Sequence, residues 1–322
     1  MTMEKKIVAV LGATGQQGGS VVQSLLADPE KYHIRGLTRD INSNKSKGLA
    51  AQGVEVVQAD VGDAISLERA FEGAHSIYAM TDFWQSMSAD VETEQGKAIA
   101  NIANGLPQLE HFVWASLPDG RALSAGKYSN IFHWQSKAAV AKYIRDSKPR
   151  LWGKTIEILF PNYFENCVTN PGVYLPREQS DGTYLRSFCL NGKTSLPNAA
   201  ISDTGKLVKY LIECGYEYHK RTIAFNSQSI GEIDKLKVLE SAYGISVRYE
   251  QTSEKVFRES LEAKMGPVTA LDFTEQLMIF EGTGMIYDDS AFVQASKLPG
   301  LKLKTWEDFV QENNLLSLMQ ED

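Results

Sequence analysis

The chain has 322 residues, 43% of them hydrophobic, enough to bury one large α/β unit or a nucleotide domain with a smaller lobe, of which two lobes are expected. A formal net charge of −7, with acidic and basic residues mixed along the chain, excludes the clustered cations that nucleic-acid binding uses. No window approaches the roughly 18 apolar residues of a membrane span, and Cys167, Cys189 and Cys214 include no CxxC pair, which argues against a disulfide framework or a zinc knuckle and for buried thiols in a reducing compartment.

Met1 to Lys6 is a short polar lead rather than a targeting segment, and a cytoplasmic or nuclear location is expected. Ile7 to Leu11 is an unbroken apolar run, the pattern of a strand buried on both faces of a parallel sheet. Glycines follow at GxxGxxG spacing, Gly12, Gly15 and Gly18, and from Ser20 to Ala27 the pattern turns helical, with Val21, Val22, Leu25 and Leu26 on one face. Strand, glycine turn and helix in that order suit a dinucleotide: its pyrophosphate can approach a bare backbone, where the helix N-terminus and free amides around Thr14, Gln16 and Gln17 meet its charge.

A second strand spans Lys31 to Arg39 and ends near Leu37 and Thr38. NAD-selective folds place an acid at this end and NADP sites an arginine nearby. Here the chain offers Thr38 and Arg39, with Lys45 and Lys47 beyond, unless the strand runs on to Asp40. Val54 to Asp60 is a third strand with Asp60 and Val61 at its end, Leu67 to Gly73 a short helix, and Ser76 to Met80 a fourth strand followed by a loop, Thr81 to Trp84. Val91 to Asn104 reads as a helix and His111 to Ser116 as the fifth strand. The alternation predicts a doubly wound parallel sheet. The next helix, Phe132 to Ile144, sets His133 and Lys137 one turn apart on one face. The other histidines, His33, His75, His111 and His219, have no ligand spacing, so no metal site is expected.

The remainder reads as a smaller α/β lobe. Pro171 to Pro197 is rich in glycine, proline and aromatic residues, suited to short strands and loops over a pocket. Helices are predicted over Ser202 to Glu213 (capped), Gly231 to Tyr243, Glu254 to Lys264 and Thr305 to Val310, and strands over Thr222 to Phe225 and Val247 to Glu250. The expected division is residues 1–165 for the nucleotide domain and 166–322 for a substrate or partner lobe, with some segments returning to the first sheet.

Several pieces together resemble the NmrA-like family of atypical short-chain dehydrogenases: Gly12-Ala-Thr-Gly-Gln-Gln-Gly18, Leu37-Thr-Arg39, Thr81-Asp-Phe-Trp84, Trp114-Ala-Ser-Leu-Pro-Asp119, His133-Trp-Gln-Ser-Lys137 and Ile158-Leu-Phe-Pro-Asn-Tyr-Phe-Glu-Asn166. The resemblance covers most of the first 170 residues and extends loosely beyond. It implies a Rossmann fold binding NADP(H), with Gly12, Ala13, Thr14, Gly15, Gln16, Gln17 and Gly18 at the pyrophosphate. It also implies Arg39 at the 2′-phosphate, Asp60 and Val61 at the adenine, and Thr81, Asp82, Phe83, Lys137, Pro161, Asn162, Tyr163 and Phe164 along the nicotinamide half. Short-chain dehydrogenases keep a tyrosine and a lysine at the spacing of His133 and Lys137, so His133 stands in the tyrosine's place, with Ser116 as a third catalytic candidate. Two positions depart from the family pattern: Ala115-Ser116 replaces a common serine doublet, and Phe160 a common arginine.

Two functions follow from the resemblance. One is NADPH-dependent reduction of a C=O or C=N group in a bulky, apolar small molecule, Lys137 gripping the nicotinamide ribose. With the cationic Lys137 one turn away, His133 is read as a neutral hydrogen-bond donor to the substrate, or as its holder while water supplies the proton. The other is a silent NADPH/NADP+ sensor whose lobes bind a regulatory protein and in which His133 only packs; fold does not choose between them.

Overall fold

A computed structural model describes residues 5–320 of the chain, so most of the polar lead lies outside the described residues. Six strands come first: β1 Lys6–Val10, β2 Tyr32–Thr38, β3 Glu55–Gln58, β4 Ser76–Ala79, β5 His111–Ser116 and β6 Thr155–Leu159. They are followed by β7 Asn162–Tyr163, β8 Arg177–Glu178, β9 Tyr184–Phe188, β10 Ser195–Ala199, β11 Arg221–Ala224, β12 Gln228–Gly231, β13 Val247–Gln251 and β14 Val293–Gln294. The central sheet has the order β14-β11-β6-β5-β4-β1-β2-β3, and every pairing in it is parallel. From β1 the chain moves outward to β3 and then returns to β4 on the other side of β1, so the crevice for a ligand lies at the carboxyl ends of β1 and β4.

Helices cover both faces. Gln16–Leu26 and Ser202–Glu213 pack on one, and Ala64–Phe71, Ala89–Gly105 and Phe132–Ser147 on the other. In β1, Val8 and Val10 enter the first core and Ala9 the second; in β5, Val113 and Ala115 face the first, Phe112 and Trp114 the second. A strand with apolar neighbours on both sides has no polar alternation to show, which is why these runs are continuous. The fold is the expected doubly wound Rossmann sheet.

The smaller lobe holds two three-stranded sheets, β12-β10-β7 and β13-β9-β8. The chain passes from β6 in the central sheet to β7 across only Phe160 and Pro161. Segments also return: β11 and β14 extend the central sheet, and Ser202–Glu213 packs against Gln16–Leu26. The lobe's longest helix, Pro267–Thr283, is absent from the sequence expectations. It buries Ala270, Leu277, Ile279 and Phe280 in a core shared with Ile131 and Trp134 of the first lobe.

Three local expectations need correction. Ser202–Glu213 has no side-chain cap, because its N-cap residue is Ile201; the Glu165 carboxylate accepts from the Ile201 N–H instead (2.9 Å). The loop after β4 winds into a helical turn, Phe83–Ser86, whose N-cap Asp82 accepts from Trp84 N–H (3.1 Å). Of the thiols, Cys167 and Cys189 are buried, and burial pushes both up to about 12, but Cys214 is exposed. Among the described residues no helix is long and apolar enough to cross a membrane.

Candidate functional site

A cavity of about 760 Å³ runs from the carboxyl ends of β1, β2 and β4 into the smaller lobe, within the usual size range for a cofactor and substrate cleft. Its first end is made of backbone. Gly12 turns with φ +65°, and a Cβ there would stand 3.0 Å from Met80 Sδ, across the switch point. A Cβ on Gly18 would fall 2.3 Å from the Gly12 carbonyl oxygen, so glycine is what lets the helix start this close to β1. The helix Gln16–Leu26 has no side-chain cap and no acid in its first turn. The amides of Thr14, Gln16, Gln17 and Gly18 accordingly find no acceptor among the described residues. Open donors at a helix N-terminus, on a turn stripped of side chains, fit a dinucleotide pyrophosphate. The Gln17 side chain is held in place: it accepts from Tyr78 Oη (2.9 Å) and donates to Tyr163 Oη (2.7 Å).

β2 ends at Thr38, so Arg39 is the first residue beyond it, exposed at the cavity wall with Ser43 and Lys45. Its guanidinium has no partner among the described residues, and Asp40 turns to accept from Asn42 N–H (2.8 Å). Val61 lies on the wall. Asp60 does not reach it, because its carboxylate is folded back onto Gly62 N–H (2.8 Å). Ala13 is also off the wall; it is buried and donates to the Leu37 carbonyl (3.2 Å). Phe164 packs among Trp306 and Phe309 instead of lining the cavity.

At the second end, the Phe132–Ser147 helix brings His133 and Lys137 to the same wall as Thr81, Asp82, Phe83, Pro161, Asn162 and Tyr163. Lys137 Nζ donates to the Thr81 carbonyl (3.0 Å) and pairs with Glu92, which is fully buried and also accepts from Ser136 Oγ. His133 faces a second carboxylate. Asp272 Oδ1 lies 2.5 Å from Nδ1 in an off-axis ion contact, outside hydrogen-bond geometry, and Oδ2 accepts from the His133 backbone N–H at 3.3 Å. The charge nearest the imidazole is therefore Asp272, where the sequence suggested Lys137. Trp84 rests against His133 (ring centroids 5.2 Å apart) and against Phe273 (5.5 Å). Ser116 is at the wall but fully buried, and its hydroxyl donates to Glu157 Oε1 (2.8 Å), away from His133 and Lys137.

Much of the second end was not read from the sequence. Phe273, Gln276 and Phe280 come from the Pro267–Thr283 helix, and Asn166, Asn170, Tyr174 and Tyr287 from other parts of the smaller lobe. A helix that buries residues on all sides lacks an amphipathic stripe; the signal it does carry is its punctuation, Gly266-Pro267 at the start and Gly284 at the stop. Among the described residues no group of three or more His, Cys, Asp or Glu side chains could hold a metal ion. His111 and His219, far apart in sequence, do meet (3.0 Å), and burial, with His219 as its neighbour, pushes His111 down to about 4.

The NmrA-like family profile matches residues 4–310. An NmrA-like family domain-containing protein of Dictyostelium discoideum is 25% identical over 97% of this chain and 99% of its own length. The NmrA-like family domain-containing oxidoreductase ptmS of Penicillium ochrochloron is 28% identical over 76% of this chain and 73% of its own. Among solved structures, the negative transcriptional regulator NmrA in complex with NADP superposes with a TM-score of 0.70, at 20% identity, over 99% of this chain and 95% of the other. The NADPH-dependent quinone oxidoreductase QOR2 of Escherichia coli, complexed with NADPH, does so with a TM-score of 0.72, at 22% identity, over 95% and 99%. The match of almost the entire chain to one family profile, on the fold that family's structures share, means that this protein belongs to the NmrA-like family.

Proposed function

We propose that the chain is an NADP(H)-dependent oxidoreductase that reduces a C=O or C=N group in a bulky, largely apolar and uncharged small molecule. The observation that carries this reading is a single cavity with open backbone donors and Arg39 at one end and a lysine and a histidine, each set against a buried carboxylate, at the other. When bound, NADPH supplies a hydride to the substrate carbon and is left as NADP+, while the π electrons move to the oxygen or nitrogen, which takes up one proton. His133, loaded by solvent with a proton on Nε2, polarises that atom through the Nε2–H hydrogen bond and passes it this proton, which solvent then replaces. Lys137, anchored on the Thr81 carbonyl, is the ribose-side contact.

The lining supports this substrate class. Past His133 and Lys137 the wall offers the rings of Trp84, Phe273 and Phe280 and the amides of Asn166, Asn170 and Gln276. A carboxylate or phosphate entering there would lose its water without meeting a free cation, because Lys137 is already paired. Relatives named as oxidoreductases, and a fold neighbour named as an NADPH-dependent quinone oxidoreductase, support the same reading.

The test is incubation with NADPH and a panel of uncharged aromatic ketones, enones and imines, following nicotinamide absorbance and product mass, with His133→Ala and Lys137→Ala alongside. Turnover lost in both variants supports the proposal. If no compound is reduced, and exchanging NADPH for NADP+ changes the chain's affinity for a protein partner, the sensor function replaces it.

A further inference from the structure

We infer that Asp272 is the positioning residue for His133: it fixes which ring nitrogen carries the proton and leaves the other for the substrate. The inference rests on the role given to His133 above and extends it to a residue of the smaller lobe. Asp272 is 1% exposed on the Pro267–Thr283 helix. A buried carboxylate needs a partner of its own, and Asp272 finds both of its neighbours on one residue: Oδ2 accepts from the His133 backbone N–H, and Oδ1 stands 2.5 Å from the ring Nδ1 in an off-axis contact. Nδ1 is itself buried and makes no hydrogen bond to any other described residue. A nitrogen lone pair 2.5 Å from a carboxylate oxygen would be repelled, so Nδ1 keeps its proton, and Nε2 is the nitrogen that takes a proton from solvent and gives it to the substrate.

The backbone contact matters as much as the ring contact. The Phe132–Ser147 helix begins at Ile131 without a side-chain cap of its own. The smaller lobe supplies the acceptors instead: Asp272 takes His133 N–H, and Glu275 takes both Asn130 N–H and Asn130 Nδ2 (2.7 Å each). Two carboxylates one turn apart thus hold the start of the helix that carries His133 and Lys137. Trp84 and Phe83 flank the ring, with centroids 5.2 and 6.1 Å away, and resist its rotation. The remaining charges nearby, Lys137 and Glu92, are committed to each other.

The test joins ¹⁵N NMR of the His133 imidazole, recorded on the protein without ligand, to steady-state kinetics of Asp272→Asn. Asparagine keeps an acceptor for the backbone N–H and removes the charge from Nδ1. The expected result is an Nδ1-protonated pattern in the wild type that shifts in Asp272→Asn, with kcat lower on the order of 100-fold and unchanged affinity for NADPH. In a His133→Ala background the same substitution should lower kcat no further. An equal loss in both backgrounds, or unchanged imidazole signals, overturns the inference. Asp272→Glu, which retains the carboxylate, should keep the Nδ1-protonated pattern, and its loss there counts against the proposal as well. If the wild type reduces nothing, the role given to His133 fails by itself, and the imidazole signals alone decide the positioning: a shift upholds it, constancy overturns it.

Discussion

The two ends of the cavity solve opposite problems. At the glycine turn the recognition groups are backbone amides without acceptors and an arginine without a partner among the described residues, so a ligand there completes the electrostatics. At the Phe132–Ser147 helix the lysine and the histidine each face a buried carboxylate inside the protein, Lys137 that of Glu92 and His133 that of Asp272. A ligand arriving at that end meets a lysine already paired and is selected by shape, rings and single hydrogen bonds. One end binds by filling a deficit of charge; the other keeps its charges ordered so that they act without being bound.

The largest effect should come from the matched end. His133→Ala is expected to lower kcat by about 100- to 10,000-fold with little change in NADPH affinity; a loss confined to KM would reduce His133 to a binding group. Glu92→Ala leaves the Lys137 ammonium, largely buried, without its counter-charge, and chemical denaturation should show a loss of about 3–5 kcal/mol. Glu92→Leu combined with Lys137→Leu should regain much of that stability, at the cost of the ribose-side contact to the cofactor. A double variant as unstable as the single one would mean that the pair is not matched as described.

The open end yields to a smaller perturbation. Arg39→Ala removes one charge-assisted contact, about 1.5–3 kcal/mol, so calorimetric titration should find the preference for NADP(H) over NAD(H) reduced roughly 10- to 150-fold. Unaltered preference would assign the choice to Lys45 or another group at that wall.

The smallest effect lies outside the cavity, where His111 and His219 meet. Burial holds His111 at about 4 in the folded chain against 6.5 as its ordinary value. Between these values the unfolded chain takes up a proton that the folded chain refuses, so stability falls as pH drops from about 6.5 to 4 and levels off below. His111→Gln should flatten that part of the curve in thermal melts at stepped pH; an unchanged slope would shift the cause to other groups.

The same contrast explains how much could be read beforehand. The open end is written in consecutive residues: a run buried on both faces, three glycines at fixed spacing, and Arg39 immediately after β2, all visible because each depends on local backbone geometry. Asp60, expected at this end, and Phe164, expected along the nicotinamide half, lie off the cavity wall, because the direction of each side chain depends on a neighbour, Gly62 N–H for one and Trp306 for the other. The matched end is assembled across long separations. His133 and Lys137 were legible as a pair one turn apart, but Glu92 and Asp272 were not, since nothing in a helix pattern says which acid will be buried against which base. Asp272 was doubly hidden, because the Pro267–Thr283 helix has no amphipathic stripe to announce it. Ser116 shows the converse: a hydroxyl expected at the site is claimed by Glu157, a partner 41 residues away.

That the smaller lobe caps the start of the Phe132–Ser147 helix also ties the two lobes to each other at this point. Only when the segment bearing Asp272 and Glu275 docks are the N–H groups of Asn130 and His133 satisfied. The helix that carries His133 and Lys137 is therefore completed at its first turn by acceptors 139 and 145 residues further along the chain.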